Sequence, residues 1–133
     1  MLKNTFTVPK KIAIRYTKNK HRGVFATANI KKGETVEISP AWILPFKDKK
    51  LVDKTMVLDY YYYWGPKNQP AIALGYGSLY NHSYTPNAEY EQKVKQQMFI
   101  FRAIKAIKKG EEITTNYNGD WDSQDKVWFD VKH

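Results

Sequence analysis

The chain has 133 residues, no cysteine and a formal net charge of +9 at pH 7. This length predicts one domain over residues 1–133, and the 42% hydrophobic content indicates a folded protein with a core of ordinary size. The lack of cysteine excludes disulfides, thiolate nucleophiles and cysteine-ligated zinc. No apolar run approaches the roughly 20 residues of a spanning helix, and no apolar signal-peptide region opens the sequence. We therefore expect no membrane partner and no secretion.

The positive charge invites a nucleic-acid partner, but the lysines are distributed along the whole sequence. They come as pairs and a triplet at 10 and 11, 31 and 32, 47, 49 and 50, and 108 and 109. Scattered pairs of this kind are typical of a solvated surface. Direct nucleic-acid binding is therefore an alternative that the composition does not favour.

The first predicted elements are two short strands. Residues Ile12–Tyr16 alternate apolar and polar side chains and include β-branched residues, as a half-buried strand does. Residues 18–22 form a basic loop, and residues 23–27 are predicted to form a second strand that begins at a glycine.

A five-residue segment then occurs twice. The sequence Ile-Lys-Lys-Gly-Glu stands at 30–34 and again at 107–111, 77 positions later (107 minus 30). A β-compatible stretch follows each copy, at 35–38 and at 112–115. Each copy predicts a strand end, a tight turn in which glycine supplies a positive φ, and a new strand. Two copies are too few for a repeat architecture and predict two similar corners of one small β-rich fold.

One helix is predicted between these corners. Asp53 can cap a segment in which Met56, Tyr60, Tyr63 and Trp64 share a face at helical spacing, and Gly-Pro at 65–66 would end it. The four consecutive tyrosines at 60–63 suit a strand as well, so this alternative stays open. Two further strands are predicted at 88–91 and 97–104, and a turn followed by an aromatic-bearing tail at 118–133.

The stretch from 73 to 88 is built to place polar groups. Gly75 and Gly77 permit close backbone approaches that a side chain would block. Three small polar residues follow at 81–83 (Asn-His-Ser), and then Pro86 and Asn87, whose amide is expected to bond its own backbone in a turn.

The usual signatures of other active sites are missing from the sequence. The three histidines lack metal-ligand spacing. The acidic residues at 120–125 lack the glycine and the glutamate of a calcium loop, so no metal is expected. There is no complete dinucleotide fingerprint, no phosphate-binding loop and no Gly-x-Ser-x-Gly elbow.

Five segments in one order resemble a known family. They are residues 22–26 (Arg-Gly-Val-Phe-Ala), 30–34, 81–87, 107–113 (Ile-Lys-Lys-Gly-Glu-Glu-Ile) and 116–117 (Asn-Tyr). This order resembles the SET-domain protein lysine methyltransferases over nearly everything from residue 12 onward. The resemblance is to the minimal stand-alone forms of viruses and bacteria, since cysteine-rich zinc-binding flanks are absent.

The resemblance implies a mainly β fold of several small antiparallel sheets with one short helix. It also implies that the segment with Asn81 and His82 and the segment with Tyr117 are threaded past each other in a pseudoknot-like way. The implied cofactor is S-adenosylmethionine, bound by backbone around Arg22, Gly23 and Val24 and by Asn81 and His82.

The implied catalytic residues are tyrosines. Tyr117 takes the position of the active-site tyrosine, where it would also contact the cofactor, and Tyr60 or Tyr62 would add a second tyrosine to the lysine channel. The tail at about 118–133 would complete the site, with Trp128 or Trp121 covering the cofactor or the channel. One departure is His21, which stands where the family usually has the first glycine of Gly-x-Gly and could lower cofactor affinity.

Such residues suit methyl transfer for physical reasons. A lysine amine reacts only when neutral, and its deprotonation at pH 7 costs about 4.6 kcal/mol from a reference pKa of about 10.4. A narrow apolar channel beside a positive charge lowers that cost. Tyrosine rings exclude water and their hydroxyls orient the amine, whereas Tyr117 is a poor base because ionising its phenol costs roughly 4 kcal/mol.

The implied partner is a protein or peptide that bears a lysine, such as a histone or a basic DNA-associated protein. The loop at 46–54 is expected to influence which substrate is chosen. A cytoplasmic location is expected, or the host cell interior or nucleus for a viral chain. The target lysine, the degree of methylation and the oligomeric state are left open.

Two alternatives from other classes remain. A small basic β domain could stack single-stranded nucleobases on its aromatic side chains and follow phosphates with its lysines. A catalytically silent SET module could hold a lysine-bearing peptide. Taken singly, His82 suits a hydrogen-bonded interior histidine and Tyr117 suits a strand residue at a hairpin, so the interpretation rests on their ordered coincidence.

Overall fold

The computed structural model describes residues 6–127, and β-strands dominate that part of the chain. A four-residue helix α1 (Lys49–Val52) and three short 3₁₀ segments (Phe46–Asp48, Met56–Asp59 and Gly77–Leu79) accompany them. The strands are β1 (Ile12–Tyr16), β2 (Arg22–Ala26), β3 (Thr35–Ile43), β4 (Tyr61–Trp64), β5 (Gln69–Ala73), β6 (Asn81–His82), β7 (Ala88–Lys93), β8 (Met98–Ala103) and β9 (Glu112–Thr115).

The strands form two sheets. The first has the order β1-β2-β9-β6, in which the β1–β2 and β2–β9 pairs are antiparallel and the β6–β9 pair is parallel. The second has the order β4-β5-β3-β8-β7 and is antiparallel throughout. The mainly β architecture with antiparallel sheets and one short helix confirms the predicted fold class.

One continuous core joins the sheets. Val24 and Ile113 of the first sheet are fully buried together with Phe99 and Phe101 of β8. Tyr80 stacks on Phe101, with ring centroids 4.4 Å apart. Burying these aromatic rings stabilises the fold, because each removes a large apolar area from water.

Most predicted strands are present with small shifts at their ends. The strand at 12–16 is correct, and β2 begins one residue earlier than predicted. The stretch predicted at 35–38 extends to Ile43, and the strand predicted at 88–91 extends to Lys93. The twin corners lie next to each other through an antiparallel bridge between Ile30 and Ile107.

The predicted helix from Asp53 to Trp64 is wrong. Residues Tyr61–Trp64 form β4, which pairs with β5, and only Met56–Asp59 winds into a single 3₁₀ turn. Thr55 caps that turn, while Asp53 pairs with Lys49 at 2.6 Å instead. The strand alternative was correct for this run, because aromatic residues favour a pleated surface that can pack against a neighbouring strand.

The glycines at 75 and 77 have the role that the sequence predicts. Gly75 has a φ of +71°, and a Cβ there would lie 2.6 Å from the Glu37 carboxylate. A Cβ on Gly77 would lie 2.5 Å from the Cβ of Ala73. Both positions therefore require the absence of a side chain.

The prediction that the Asn87 amide bonds the backbone of its own turn is wrong. Its Nδ2 donates to the carbonyl of Glu112 at 2.9 Å, and its Oδ1 accepts from the N–H of Thr114 at 3.0 Å. Asn87 thus joins the loop after β6 to the backbone of β9, since both hydrogen-bonding halves of its amide meet the same strand.

Neither a spanning helix nor a metal-ligand cluster occurs in residues 6–127. No helix there is long and apolar enough to cross a membrane. In the same residues, no group of three or more His, Cys, Asp or Glu side chains could hold a metal ion.

Candidate active site

The parallel pair of β6 and β9 brings the two predicted halves of the site together. Asn81 pairs with Thr114 and His82 with Thr115, and the N–H of Ser83 donates to the carbonyl of Thr115 at 2.9 Å. Tyr117 follows β9 by two residues, so this pairing fixes its distance from His82. The two segments that the resemblance brings together do lie side by side.

His82 holds the backbone of Tyr117 in place. The side chain is buried, and its Nδ1 accepts a hydrogen bond from the N–H of Tyr117 at 3.0 Å. A ring nitrogen that accepts carries no proton, so a neutral His82 has its proton on Nε2. Its ring also meets those of Tyr84 and Tyr117 edge to face, with centroids 4.5 Å and 5.3 Å away.

Asn81 is the centre of a polar network on the other side of the site. Its Nδ2 donates to the carbonyl of Arg22 at 2.9 Å and to Glu112 Oε2 at 2.7 Å. Lys20 completes the network with an ion pair to Glu112 Oε1 at 3.1 Å. This network ties β2, β6 and β9 together at one point.

Gly23 lies against this network, and any larger residue there would force the side chains of the network to move. A Cβ built on it would stand 2.5 Å from Glu112 Oε2 and 2.9 Å from Asn81 Nδ2. The neighbouring Val24 has a fully buried side chain, whereas Arg22 is exposed. Around 22–24, only the backbone and the Arg22 guanidinium are therefore available to a ligand.

A cavity of about 570 Å³ opens beside Tyr117 and has an aromatic wall. Asp59 and Asp120 are exposed at its solvent side. The tyrosines that line it are Tyr60, Tyr61, Tyr62, Tyr63, Tyr80, Tyr90 and Tyr117. Both tyrosines predicted for the channel therefore line the same cavity as Tyr117.

Two tyrosine hydroxyls of this wall are held by carbonyls of one loop. The hydroxyl of Tyr117 donates to the carbonyl of Tyr80 at 2.5 Å, and that of Tyr62 donates to the carbonyl of Gly77 at 2.8 Å. Each hydroxyl keeps lone pairs that can accept a further hydrogen bond. The loop at 77–80 therefore fixes the orientation of two phenols.

These phenols are neutral at physiological pH. Burial raises the pKa of Tyr117, and electrostatic interactions with Tyr60, Glu112, Tyr90 and Asp59 raise it further. Burial likewise raises the pKa of Tyr62 well above its usual value. For Tyr90, burial and then Asp120 raise the pKa to about 12. These three hydroxyls therefore stay neutral at physiological pH, and none of them is a phenolate base.

Glu37 supports the loop from the core. Its Oε1 accepts from the hydroxyl of Tyr80 at 2.7 Å, and its Oε2 accepts from the N–H of Tyr76 at 2.8 Å. Burial raises the pKa of this carboxyl, and the two hydrogen bonds oppose that effect. Glu37 is thereby linked through Tyr80 to the carbonyl that holds Tyr117.

The tail folds back toward the loop after β6. Asn118 Nδ2 donates to the carbonyl of Asp125 at 2.8 Å, and the hydroxyl of Tyr84 donates to that same carbonyl at 3.0 Å. Trp121 has about half of its side chain exposed and does not line the cavity. Trp128, the other tryptophan predicted for the site, lies outside the described residues.

Several residues of the site were not singled out from the sequence. Glu112 follows the second corner directly, and alternation from buried Ile113 would have placed it on the face that meets Asn81. Tyr80 precedes Asn81 but reads as ordinary core. Lys20 and Glu37 were also missed, and their partners Glu112 and Tyr80 are distant in sequence. The remaining residues line the cavity and are Asp59, Tyr90 and Asp120.

A second cavity of about 520 Å³ lies elsewhere, between the segment at 6–11 and β3. Its lining includes Val8, Ile30 and Met98, and no predicted site residue contributes to it. The aromatic cavity at Tyr117 is thus the one that adjoins the Asn81 network.

Family membership follows from comparison with known sequences. A sequence model of the SET domain matches residues 21–118, which is well over half of the chain. The chain belongs to the SET domain family, as the resemblance indicated. Its enzyme class is accordingly that of the protein-lysine N-methyltransferases. An unrelated β domain that only binds nucleic acid is thereby excluded.

Individual relatives agree with this assignment. The chain is 29% identical over 119 residues to the histone-lysine N-methyltransferase of Schizosaccharomyces pombe specific for H3 lysine 37, over 90% of this chain and 77% of that protein. A crystal structure of a candidate histone methyltransferase from Plasmodium falciparum is 32% identical with a TM-score of 0.63, over 86% of this chain and 98% of that one.

A third comparison concerns the fold alone. The crystal structure of CpSET8 from Cryptosporidium has a TM-score of 0.63 at 24% identity. It covers 82% of this chain and 57% of that one.

Proposed function

We propose that this protein transfers a methyl group from S-adenosylmethionine to the ε-amine of a lysine in a protein substrate. The observation that carries the proposal is the meeting of the Asn81–His82 segment with Tyr117 at the edge of a tyrosine-lined cavity. The Schizosaccharomyces pombe relative acts on a histone lysine, which supports a histone or another basic DNA-associated protein as the substrate class.

The residues around Asn81 suit the proposed cofactor. S-adenosylmethionine carries a carboxylate, an ammonium and a sulfonium. The site offers two groups of opposite charge to these, the exposed cation of Arg22 and the carboxylate of Glu112. The backbone from Arg22 to Val24, Asn81 and His82 would hold it, and it would supply an electrophilic methyl carbon. Tyr117 would lie between it and the cavity, and the tail at 118–133, including Trp128, would complete the site of this single domain.

The aromatic cavity would receive the lysine side chain. Its rings exclude water, which disfavours the ammonium and lowers the cost of about 4.6 kcal/mol for deprotonating the amine at pH 7. Asp59 and Asp120 at the solvent side attract the cation on its way in. Tyr60 and Tyr62 would line the methylene chain, as the tyrosine pair expected for the channel.

Tyr117 would orient the amine and would not accept its proton. Its pKa is raised, so at neutral pH the phenolate that could accept a proton is even rarer than that of an exposed tyrosine. Its hydroxyl proton is directed at the carbonyl of Tyr80, which leaves lone pairs for an N–H of the substrate amine. Fixing the amine in this way aims its lone pair at the methyl carbon.

Replacement of Tyr117 by Phe tests the proposal. We expect kcat for transfer of labelled methyl groups to a mixture of basic proteins to fall about 100-fold, the usual effect of losing one orienting hydroxyl. Cofactor affinity, measured by calorimetry, should change less than tenfold. Tyr16→Phe is the matched control, because Tyr16 is 84% exposed and does not line the cavity.

Two results would contradict the proposal. Equal rates for Tyr117→Phe and wild type would remove Tyr117 from the chemistry. Cofactor binding without transfer to any of the basic proteins would favour the silent module that holds a lysine-bearing peptide.

A further inference from the structure

The two Ile-Lys-Lys-Gly-Glu corners are one surface in the folded protein. The N–H of Ile30 donates to the carbonyl of Ile107 at 2.8 Å, and the N–H of Ile107 returns the bond to Ile30 at 2.8 Å. A third bond, from the N–H of Lys109 to Asn29 Oδ1 at 2.9 Å, fastens the second turn to the first. Segments 77 positions apart (107 minus 30) are therefore immediate neighbours.

The two turns have the same internal structure. Gly33 and Gly110 both have a positive φ, of +86° and +93°. Glu34 accepts a hydrogen bond from the N–H of Lys31 at 3.0 Å, and Glu111 accepts one from the N–H of Lys108 at 2.8 Å. The glutamates are thus directed at their own turns.

This arrangement places four lysines on two adjoining turns. Lys31, Lys32, Lys108 and Lys109, here called the lysine quartet, are all exposed. None of them forms an ion pair with another residue in the part of the chain that the structure describes. Sheet geometry puts the Cα atoms of Lys31 and Lys108 roughly 9 Å apart. Two of the lysine pairs that lie far apart in the sequence are thus on neighbouring turns of the fold.

We propose that the lysine quartet binds the phosphate backbone of double-stranded DNA. Duplex DNA carries about one negative charge per 1.7 Å of its axis, so a compact group of cations can reach several phosphates at once. The turns at 30–34 and 107–111 contain no aromatic residue on which an unpaired base could stack, which favours a duplex over a single strand. Their exposed cations are lysines, whose flexible point charges suit phosphates, so we expect binding that does not depend on sequence.

The position of the quartet leaves the candidate active site free. Lys108 and Lys109 precede β9 and Tyr117 follows it, so the four residues of this strand, roughly 13 Å in length, lie between the two sites. The protein can therefore hold DNA at these turns while the aromatic cavity stays open to a lysine of a DNA-associated protein.

Fluorescence anisotropy with a fluorescein-labelled duplex of mixed sequence tests the proposal. The test variant is Lys31→Gln, Lys32→Gln, Lys108→Gln and Lys109→Gln together. The control variant is Lys47→Gln, Lys54→Gln, Lys67→Gln and Lys95→Gln, which removes four exposed lysines elsewhere and leaves the same net charge of +5 (9 minus 4).

At low salt we expect the test variant to bind the duplex at least tenfold more weakly than the control variant. The decrease of log affinity with log salt should be less steep in the test variant than in the wild type. The difference in slope should be about 3 to 4, because each lost phosphate contact removes about 0.9. Methyl transfer to a free peptide should be equal in the test variant and the wild type. Thermal unfolding followed by circular dichroism checks that each variant is folded. If the quadruple test variant is unfolded, the double variant Lys31→Gln, Lys108→Gln takes its place.

Equal losses of affinity in the two quadruple variants would overturn the proposal, since net charge alone would then account for binding. Tighter binding of the corresponding single strand than of the duplex would also overturn it. Failure of methyl transfer would not affect either result, because the binding assay contains no cofactor and no peptide.

Discussion

His21 adopts a left-handed backbone conformation at the start of the segment that leads to Gly23. Its φ is 62°, and its carbonyl accepts a short hydrogen bond of 2.6 Å from the N–H of Thr17. This conformation costs a residue with a Cβ roughly 1 to 2 kcal/mol, whereas glycine adopts it freely. The structure thus explains why a glycine suits this position and shows that histidine occupies it without altering the turn.

Replacing His21 by Gly should therefore stabilise the protein. We expect the free energy of unfolding to rise by about 0.5–1 kcal/mol, because the relief of strain exceeds the added entropy of the unfolded chain. Urea unfolding followed by tryptophan fluorescence measures it. His21→Ala is the control and should show no gain, since alanine keeps the Cβ. A glycine variant no more stable than the alanine variant would contradict the explanation.

At the scale of single elements, β6 has only two residues and depends on its surroundings to stay beside β9. Asn87 supplies a large part of this support, because its amide satisfies one donor and one acceptor of β9. Without it, the N–H of Thr114 and the carbonyl of Glu112 would lose their partners in a buried region. Unsatisfied buried groups are costly because they have given up their bonds to water.

We expect Asn87→Ala to lower the free energy of unfolding by about 2–4 kcal/mol, at 1 to 2 kcal/mol for each orphaned group. Asn19→Ala provides the comparison, since Asn19 is exposed. Denaturant unfolding of both variants gives the values. A loss below 0.5 kcal/mol for Asn87→Ala would show that β6 is held by other contacts.

Glu37 has a comparable role for the turn at 75–77. Burial raises the pKa of its carboxyl above 4.5, so the folded state holds the proton more tightly than the unfolded state does. Its contribution to stability is therefore greatest below the unfolded pKa and falls as pH rises through the folded pKa. Glutamine at this position cannot titrate.

The stability of the wild type relative to Glu37→Gln should consequently decrease as pH rises from about 4.5 through the folded pKa. Glu91→Gln should show the opposite sign, because Arg102 and Lys93 lower the pKa of Glu91. Chemical unfolding of the three proteins between pH 3 and 8 measures both trends, because the lowered pKa of Glu91 affects stability below about pH 4.5. Parallel pH profiles for wild type and Glu37→Gln would contradict the raised pKa.

Considered as a whole molecule, the fold follows from sequence where contacts are local. The β1 strand and the two corners were predictable because alternation and glycine turns act within a few residues. The helix prediction failed at 53–64 because the tyrosines pair with β5, a strand for which no prediction was made.

The site was predictable only in part, for the same physical reason. Asn81, His82 and Tyr117 were found through the resemblance, because no strand pattern predicts a parallel pair of two residues. Glu112 and Glu37 were missed, since their partners Asn81 and Tyr80 lie 31 and 43 positions away. Burial and long-range hydrogen bonds define their roles, and the alternation that places Glu112 on the face opposite to Ile113 is the one local signal for either residue.

The parallel join of β6 and β9 also decides when the site can form during synthesis. A nascent chain that has reached Ala103 contains every strand of the five-stranded sheet and the β1–β2 hairpin. Asn81 and His82 have no partner strand at that stage, because β9 has not yet been made. Pairing β6 with β9 closes the long loop between His82 and Glu112. This closure costs entropy before the contacts form, so it should be a slow step of folding. The ribosome therefore completes most of the scaffold before the candidate active site can form.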